Sequence, residues 1–279
     1  MRLGLSSGLA YGGFVPSSIN LLDLSPMAAY SLRSFDSSAD PNVVNVRRSS
    51  DNATQDFKAS EITDGTLATW VGSGNDGFIA TWYDQSSNSE NATQTTASQQ
   101  PKIVSSGTVV LENSKPAIDF DGSDDELVLA NAILSTSSTR NYSAVFTTSD
   151  DEGLVVGGDH RSFLNTYGNA IYIAGSEIKA KALQNGNGVL LESGVTPNGT
   201  FLATAEIISG SSALYVNGVQ KATDADAPQN HVYTTQIGGG QYTNNNLDGT
   251  IQEIVIYDTD QSDNRTDIEY AINTYYSIY

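Results

Sequence analysis

Short apolar runs separated by turn residues recur along the chain from Met27 to Tyr257. Many of these runs alternate apolar and polar positions, and their length and spacing predict the antiparallel strands of a β-sandwich. Strands are predicted at 28–32, 43–47, 77–83, 102–104, 108–111, 117–120, 126–129, 142–147, 153–156, 170–174, 189–192, 200–208, 213–216, 236–238 and 251–257.

Three segments add detail to this pattern. In residues 200–208, positions 201, 203, 205 and 207 are apolar and share one face, which predicts a half-buried strand. Asn217 and Gly218 stand between two short apolar runs and predict a type I′ hairpin turn, because both central residues of that turn need positive φ. Helical spacing of apolar residues predicts an amphipathic helix at 263–276, and a short helix is expected at 59–71.

Residues 1–26 follow neither the period of a strand nor that of a helix. They hold too many apolar residues for a solvated tail, so we expect an extended arm that docks on its own domain or on a neighbouring subunit. A role in anchoring the protein to a neighbouring subunit or particle is favoured. No linker, charge block or repeat divides residues 27–279, which are expected to form one domain.

The charge balance narrows the classes of partner. The 279 residues include 32 Asp and Glu against 13 Lys and Arg, a net charge of -19. Nucleic-acid phosphates and anionic membranes would repel such a chain, so neither is an expected partner. The absence of cysteine excludes disulfides and thiolate sites. No apolar run approaches the roughly 18 residues of a membrane span, and the first residues do not form a secretory leader.

Two resemblances refine the predicted fold. A series of six motifs resembles the N-terminal part of the α-L-arabinofuranosidase B catalytic domain, and the same series occurs in bacteriophage virion and fibre-like proteins. The six lie at 28–33, 46–56, 81–86, 91–94, 100–104 and 120–125. The second half is similar to a concanavalin A-like (laminin-G-type) jelly roll, through Leu-Tyr-Val-Asn-Gly (214–218) and the stretches 237–240 and 247–257. Together they imply an all-β, antiparallel β-sandwich with an N-terminal arm and a C-terminal helix.

The arabinofuranosidase resemblance also implies a chemical requirement. Retaining glycoside hydrolysis uses two carboxyl groups, which that family carries in Asp-Leu-Glu-Asn-Gly and Ile-Gly-Gly-Asp stretches. The stretches matched to them here, 182–186 and 237–240, place Gln184 and Gly240 at the two positions. An amide is not a nucleophile and glycine donates no proton, and the family's adjacent cysteines are missing, so we expect no catalytic residue and no enzyme activity. The acids that an active hydrolase would use instead include Glu177, Glu192 and Glu206.

Two loops carry candidate binding residues. Four aspartates surround the turn at Gly122 and offer hard oxygen ligands for Ca²⁺. The alternative is a turn whose aspartate side chains cap its own backbone N–H groups. This predicted metal site consists of Asp119, Asp121, Asp124 and Asp125. A polar loop farther on offers an aromatic face and amides to sugar hydroxyls. This predicted carbohydrate site consists of Tyr242, Asn244, Asn245 and Asn246.

These features predict a bacteriophage virion structural protein, a decoration, fibre or tail-associated subunit that displays a non-catalytic lectin-like sandwich. It would assemble in the host cytoplasm, leave by lysis, form homo-oligomers and contact other virion proteins through its arm. A further hypothesis is that its loops bind host surface glycan. The alternative is an extracellular α-L-arabinofuranosidase-like glycoside hydrolase or carbohydrate-binding module.

Overall fold

Two layers of antiparallel strands face each other across one large apolar core. The computed structural model describes residues 19–133, 139–158, 167–184, 186–229, 234–239 and 246–279, with the backbone alone at position 167. The core contains Phe146 and Ile254 from one layer and Ile79 and Ile171 from the other. An antiparallel β-sandwich is therefore confirmed as the fold class.

The described elements follow in chain order. The strands are β1 (Ala28–Ser31), β2 (Asn42–Arg48), β3 (Thr54–Lys58), β4 (Gly77–Trp82), β5 (Ala92–Thr93), β6 (Lys102–Ser105), β7 (Thr108–Val109), β8 (Leu111–Glu112), β9 (Lys115–Pro116), β10 (Ile118–Asp121), β11 (Leu127–Leu129), β12 (Arg140–Thr148), β13 (Glu152–Gly158), β14 (Tyr167–Ala174), β15 (Ile178–Gln184), β16 (Asn187–Glu192), β17 (Gly199–Ile207), β18 (Ser212–Val216), β19 (Val219–Asp224), β20 (Thr235–Ile237) and β21 (Asp248–Tyr257). The α-helices are α1 (Ala59–Thr63), α2 (Thr66–Val71) and α3 (Arg265–Tyr276), and 3₁₀ helices cover Leu21–Leu24 and Ala97–Gln99.

Strand pairing defines the two layers. In the first layer, β21 pairs with β1 and β10 along one edge and with β12 along the other, and the sheet continues through β17 and β18 to β19. The second layer runs from β16 through β15, β14, β13, β20, β11, β5, β4 and β2 to β3. Strand β6 pairs with both β4 and β10 and so joins the layers.

Helix α3 covers the outer face of the first layer, as the apolar spacing of residues 263–276 predicts. Ile268, Ile272 and Tyr276 form a second apolar cluster with Leu202 and other residues of the strands below. Because α3 lies over β17, that strand is buried on both faces, and the prediction of a half-buried strand is wrong. The predicted hairpin turn is confirmed, since Asn217 and Gly218 have φ of 52° and 73°.

The described part of the predicted arm packs on its own domain. Leu21 is buried in the cluster beneath α3, and its carbonyl oxygen accepts a hydrogen bond of 3.2 Å from the hydroxyl of Tyr257. Residues 1–18 lie outside the described residues, so the anchoring role of the arm stays a prediction. None of the described helices combines the length and apolar character needed to cross a membrane.

Candidate functional site

The four aspartates of the predicted metal site do not form one cluster. Asp121, Asp124 and Asp125 bring one carboxylate oxygen each to within 4.8 Å of one another, in the turn that joins β10 to β11. We call residues 121–125 the acidic turn. Two oxygens bound to the same Ca²⁺ are at most about 5 Å apart, so these three side chains have the spacing of calcium ligands. Asp119 is not part of this group: it pairs across strands with Lys102 and Thr250.

Asp125 is the buried member of the acidic turn. Asp125 is only 6% exposed, and its Oδ2 accepts a hydrogen bond of 3.1 Å from the backbone N–H of Asp121. Burial, and secondarily the charge of Asp121, raises the pKa of Asp125 to about 7. Near neutral pH, a large share of Asp125 therefore carries a proton unless a cation displaces it.

One residue of the predicted carbohydrate loop lies against the acidic turn. The side-chain amide of Asn246 donates a hydrogen bond to the backbone oxygen of Ser123. Beside it, Gln236 of β20 donates a hydrogen bond of 3.0 Å to Glu126. The structure thus places Asn246 next to the predicted metal site, a proximity that the sequence pattern did not indicate. Tyr242, Asn244 and Asn245 lie outside the described residues, and the sugar-binding role of this loop stays a prediction.

The described start of the second matched stretch lies far from Gln184 of the first. Ile237, which begins the second matched stretch, is level with Val156, Ile171 and Ala180 on the neighbouring strands. β15 is three strands away from β20, and Gln184 lies four residues beyond Ala180 along β15. On a flat sheet, these two displacements place Gln184 about 20 Å from Ile237. Gly240 itself lies outside the described residues. The absence of carboxylates at this pair of positions therefore carries no information about catalysis.

A different stretch resembles the first of these motifs. Leu191, Glu192 and Gly194 agree with the Leu, Glu and Gly of Asp-Leu-Glu-Asn-Gly, and Ser193 stands where that motif has asparagine. Glu192 is the last residue of β16. A comparison of the motif with every Leu-Glu pair of the sequence would have found it.

Glu192 belongs to a compact group of charged side chains on the outer face of the second layer. Tyr172, Lys179 and Glu192 are direct cross-strand neighbours on β14, β15 and β16. The ammonium of Lys179 contacts carboxylate oxygens of both Glu192 and Glu177, the latter at 3.6 Å. We call Tyr172, Glu177, Lys179 and Glu192 the Glu192 cluster. The structure thus brings together two of the three acids that an active hydrolase was expected to need.

The Glu192 cluster combines accessible carboxylates with a buried aromatic ring. The side chain of Glu192 is 54% exposed and that of Glu177 is 22% exposed. Tyr172 is buried, and burial, followed by the charges of Glu192 and Glu177, raises its pKa. Glu177 also accepts a hydrogen bond from the backbone N–H of Gly194. Lys179 and this N–H fix the second carboxylate beside the first.

The two carboxylate groups are separate sites. Glu126, at the end of the acidic turn, precedes β11, and five strand spacings separate β11 from β16 in the second layer. At about 4.8 Å for each spacing, the distance across the sheet is about 24 Å. One glycosidic bond therefore cannot lie between a carboxylate of the acidic turn and Glu192.

No protein-family model and no curated protein matches the sequence. Solved structures do match. In fold, the chain is similar to GH54 α-L-arabinofuranosidase. A mutant of that enzyme soaked with 4-nitrophenyl α-L-arabinofuranoside superposes with a TM-score of 0.68 at 16% identity, covering 91% of this chain and 65% of the enzyme. An arabinofuranosidase complexed with arabinofuranosyl-α-1,2-xylobiose gives a TM-score of 0.67 with the same identity and coverage.

This likeness supports one resemblance and contradicts one prediction. A carbohydrate-active β-sandwich fold, which the motifs of both halves imply, agrees with the similar structures. The prediction that the chain is not an enzyme is contradicted by the similarity of its fold, over 91% of its length, to that of a glycoside hydrolase. The chain spans about two thirds of the length of those enzymes.

Proposed function

We propose that this protein is a glycoside hydrolase that acts on α-L-arabinofuranosyl groups, with the Glu192 cluster as its active site. The observation that carries the proposal is the position of Glu192. It retains the glutamate of the family's motif, and it lies beside a second carboxylate in a chain whose fold is similar to an arabinofuranosidase. Because fold alone does not determine chemistry, the residues of the site are the basis of the assignment.

The proposed mechanism follows from the two carboxyl groups. Glu192 attacks the anomeric carbon and forms a covalent glycosyl ester while the bond to the leaving oxygen breaks. Glu177 in its protonated form donates a proton to that oxygen, and the resulting carboxylate then removes a proton from the water that hydrolyses the ester. Lys179 holds both carboxylates in place, and Tyr172 supplies a rigid apolar floor.

Hydrolysis of 4-nitrophenyl α-L-arabinofuranoside tests this proposal. We expect the wild-type protein to release 4-nitrophenol and Glu192→Gln to be at least about 1,000-fold slower, since removal of a nucleophile has effects of this size. Asp263→Asn, which removes an exposed carboxylate outside the cluster, is the control for the change of charge. Wild-type protein without activity between pH 4 and pH 8, or Glu192→Gln with full activity, would overturn the proposal.

The acidic turn is proposed as a separate Ca²⁺ site that orders the loop before β21. Asp121, Asp124 and Asp125 supply three oxygens, and Asn246 ties that loop to the turn. A bound cation would displace the proton of Asp125 and neutralise part of the local charge.

We further propose that the protein is a component of a bacteriophage particle. The series of six motifs in residues 28–125 supports this location. The test is mass spectrometry of purified, nuclease-treated virions, in which the protein is expected at many copies per particle; its absence would refute the proposal. An arm truncation should remove residues 1–18 only, because Leu21 is part of the folded domain.

A further inference from the structure

A pocket of about 320 Å³ lies where β17 ends beside the hairpin of β18 and β19. The proposed active site does not use it. Its wall includes a carboxylate at each end, an aromatic ring, an amide and two hydroxyl groups. The side chains that carry the argument are Glu206, Ser211, Tyr215, Gln220, Thr223 and Asp224.

Glu206 is a buried carboxylate that interacts with the hydroxyl of Tyr215 but keeps one oxygen, Oε1, without a donor. The residue is 4% exposed, and its Oε1 accepts no hydrogen bond. The nearest cationic group to this atom is Arg265, whose Nε is 3.9 Å away, beyond hydrogen-bond distance. A buried carboxylate oxygen left in this state destabilises the folded protein, and a ligand hydroxyl in the pocket would remove that penalty.

The wall opposite this acceptor is held rigidly. The guanidinium of Arg265 lies 3.9 Å from the ring centroid of Tyr215, and the tyrosine hydroxyl donates a hydrogen bond of 3.3 Å to Gln220. Asp224 is fixed as well, since its two carboxylate oxygens accept backbone N–H groups of Leu190 and Asp226 at 2.9 and 2.8 Å. A pocket whose walls are fixed before binding loses little conformational entropy when a ligand enters.

The chemistry of the wall selects the ligand. Glu206, Asp224 and the net charge of -19 disfavour an anion. A metal ion is disfavoured because both carboxylate oxygens of Asp224 already accept hydrogen bonds. Among the described residues, the acidic side chains close enough together to hold a metal are those of the acidic turn. A purely apolar ligand would leave Oε1 of Glu206 without a donor. What remains is a neutral ligand rich in hydroxyl donors.

One wall of the pocket contacts the strand that carries Glu192. Asp224, on the pocket wall, accepts the backbone N–H of Leu190, which is two residues before Glu192 on β16. We propose that this pocket binds a second, neutral sugar unit of the polysaccharide, whose hydroxyl groups donate to Glu206. The choice of an arabinose-containing polysaccharide rests on the proposed function, whereas the preference for a hydroxyl-rich ligand rests on the pocket alone.

Calorimetric titration with arabinofuranosyl-α-1,2-xylobiose and with L-arabinose tests this inference. The background is Glu192→Gln, so that substrate turnover does not disturb the titration. Adding Glu206→Gln is expected to weaken binding of the trisaccharide about tenfold or more, because a hydrogen bond to a charged acceptor is lost. Tyr215→Phe, which keeps the ring and removes its hydroxyl, is expected to weaken binding a few-fold. Asp226→Asn is the matched control, since this exposed carboxylate adjoins the pocket without lining it.

The outcomes separate the pocket from the active site. Weaker binding in Glu206→Gln and Tyr215→Phe, with unchanged binding in Asp226→Asn, supports the second sugar site even where the protein hydrolyses no arabinofuranoside. Equal affinity in all variants overturns the second site and leaves the proposed hydrolase function standing. No binding of either sugar by the Glu192→Gln parent also overturns it.

Discussion

The backbone N–H of Asp121 donates a hydrogen bond of 3.1 Å to the carboxylate of Asp125, in a turn where three acidic side chains converge. That one contact does not offset burial, which raises the pKa of Asp125 to about 7. In the unfolded chain, the same group ionises near pH 4. Between pH 4 and pH 7 the unfolded state therefore loses its proton first, and stability falls as pH rises.

The variant Asp125→Asn removes this pH dependence. In the presence of a chelator, its melting temperature should exceed that of the wild type at pH 8, and the difference should shrink at pH 5. Thermal unfolding at both pH values measures this. Asp124→Asn, which changes an exposed carboxylate of the same turn, should show a much smaller difference. An equal difference at pH 5 and pH 8 would mean that the pKa of Asp125 is not raised.

Calcium should stabilise the protein through the same turn. A cation that binds only the folded state raises the melting temperature, and it competes with the proton on Asp125, so the rise should be larger at pH 8 than at pH 5. The measurement is thermal unfolding with a few millimolar Ca²⁺ or Mg²⁺. Asp121→Asn should abolish the rise. A melting temperature that does not respond to Ca²⁺ at pH 8 would leave the acidic turn as a self-capped turn.

The period of the apolar residues was sufficient to predict the sandwich and helix α3. The same pattern missed strands that have no buried face with alternating apolar residues. β3 and β19 are the outer strands of their layers and are largely exposed, so polar residues such as Lys58 and Lys221 leave no apolar alternation. β15 was missed although Ile178 and its two alanines alternate with Lys179 and Lys181, because alanines make the apolar face of this strand weak. The helix predicted at 59–71 is two short helices, since the chain turns at Asp64 and Gly65.

The site was less predictable than the fold. The convergence of Asp121, Asp124 and Asp125 follows from their closeness in sequence. The meeting of Glu177 with Glu192 depends on the hairpin of β15 and β16, and its register is fixed by pairing that no single-strand pattern reveals. The motif comparison selected Gln184 because it lies in a stretch of similar composition close to the one that contains Glu192.

A buried ion pair between the loop after β1 and strand β21 should dominate local stability. Glu253 is 1% exposed and accepts hydrogen bonds of 2.8 and 2.9 Å from Arg33, and it also contacts Tyr276. Arg33→Met leaves this carboxylate without its cation and should lower the free energy of unfolding by about 3–5 kcal/mol. Urea unfolding measures the change.

Arg48→Met is the matched control for that experiment. Arg48 forms a comparable pair with Asp51, whose side chain is 49% exposed. Solvent screens such an exposed pair, so its loss should change the free energy of unfolding far less than the loss of the buried pair. Similar losses in the two variants would show that burial of Glu253 is not what makes its pair important.

The turn after β20 should accept only glycine at position 238. Gly238 has a φ of +78°, and an added Cβ would lie 2.0 Å from the ring of Phe120. Gly238→Ala combines backbone strain with a core clash and should cost about 3 kcal/mol. Gly175→Ala, with a φ of +62° and open space around it, should cost about 1 kcal/mol. Equal losses in urea unfolding would exclude the clash.

The most direct test of the central claim is to identify the residue that becomes covalently bound to sugar. The protein would be incubated with a reactive α-L-arabinofuranose-configured cyclic sulfate, the inhibitor class present in a similar structure, and digested for peptide mass spectrometry. The account predicts one ester between Glu192 and the opened inhibitor, which keeps its sulfate group, and none in Glu192→Gln. Labelling of an acidic-turn aspartate, or no labelling in wild-type protein, would contradict it.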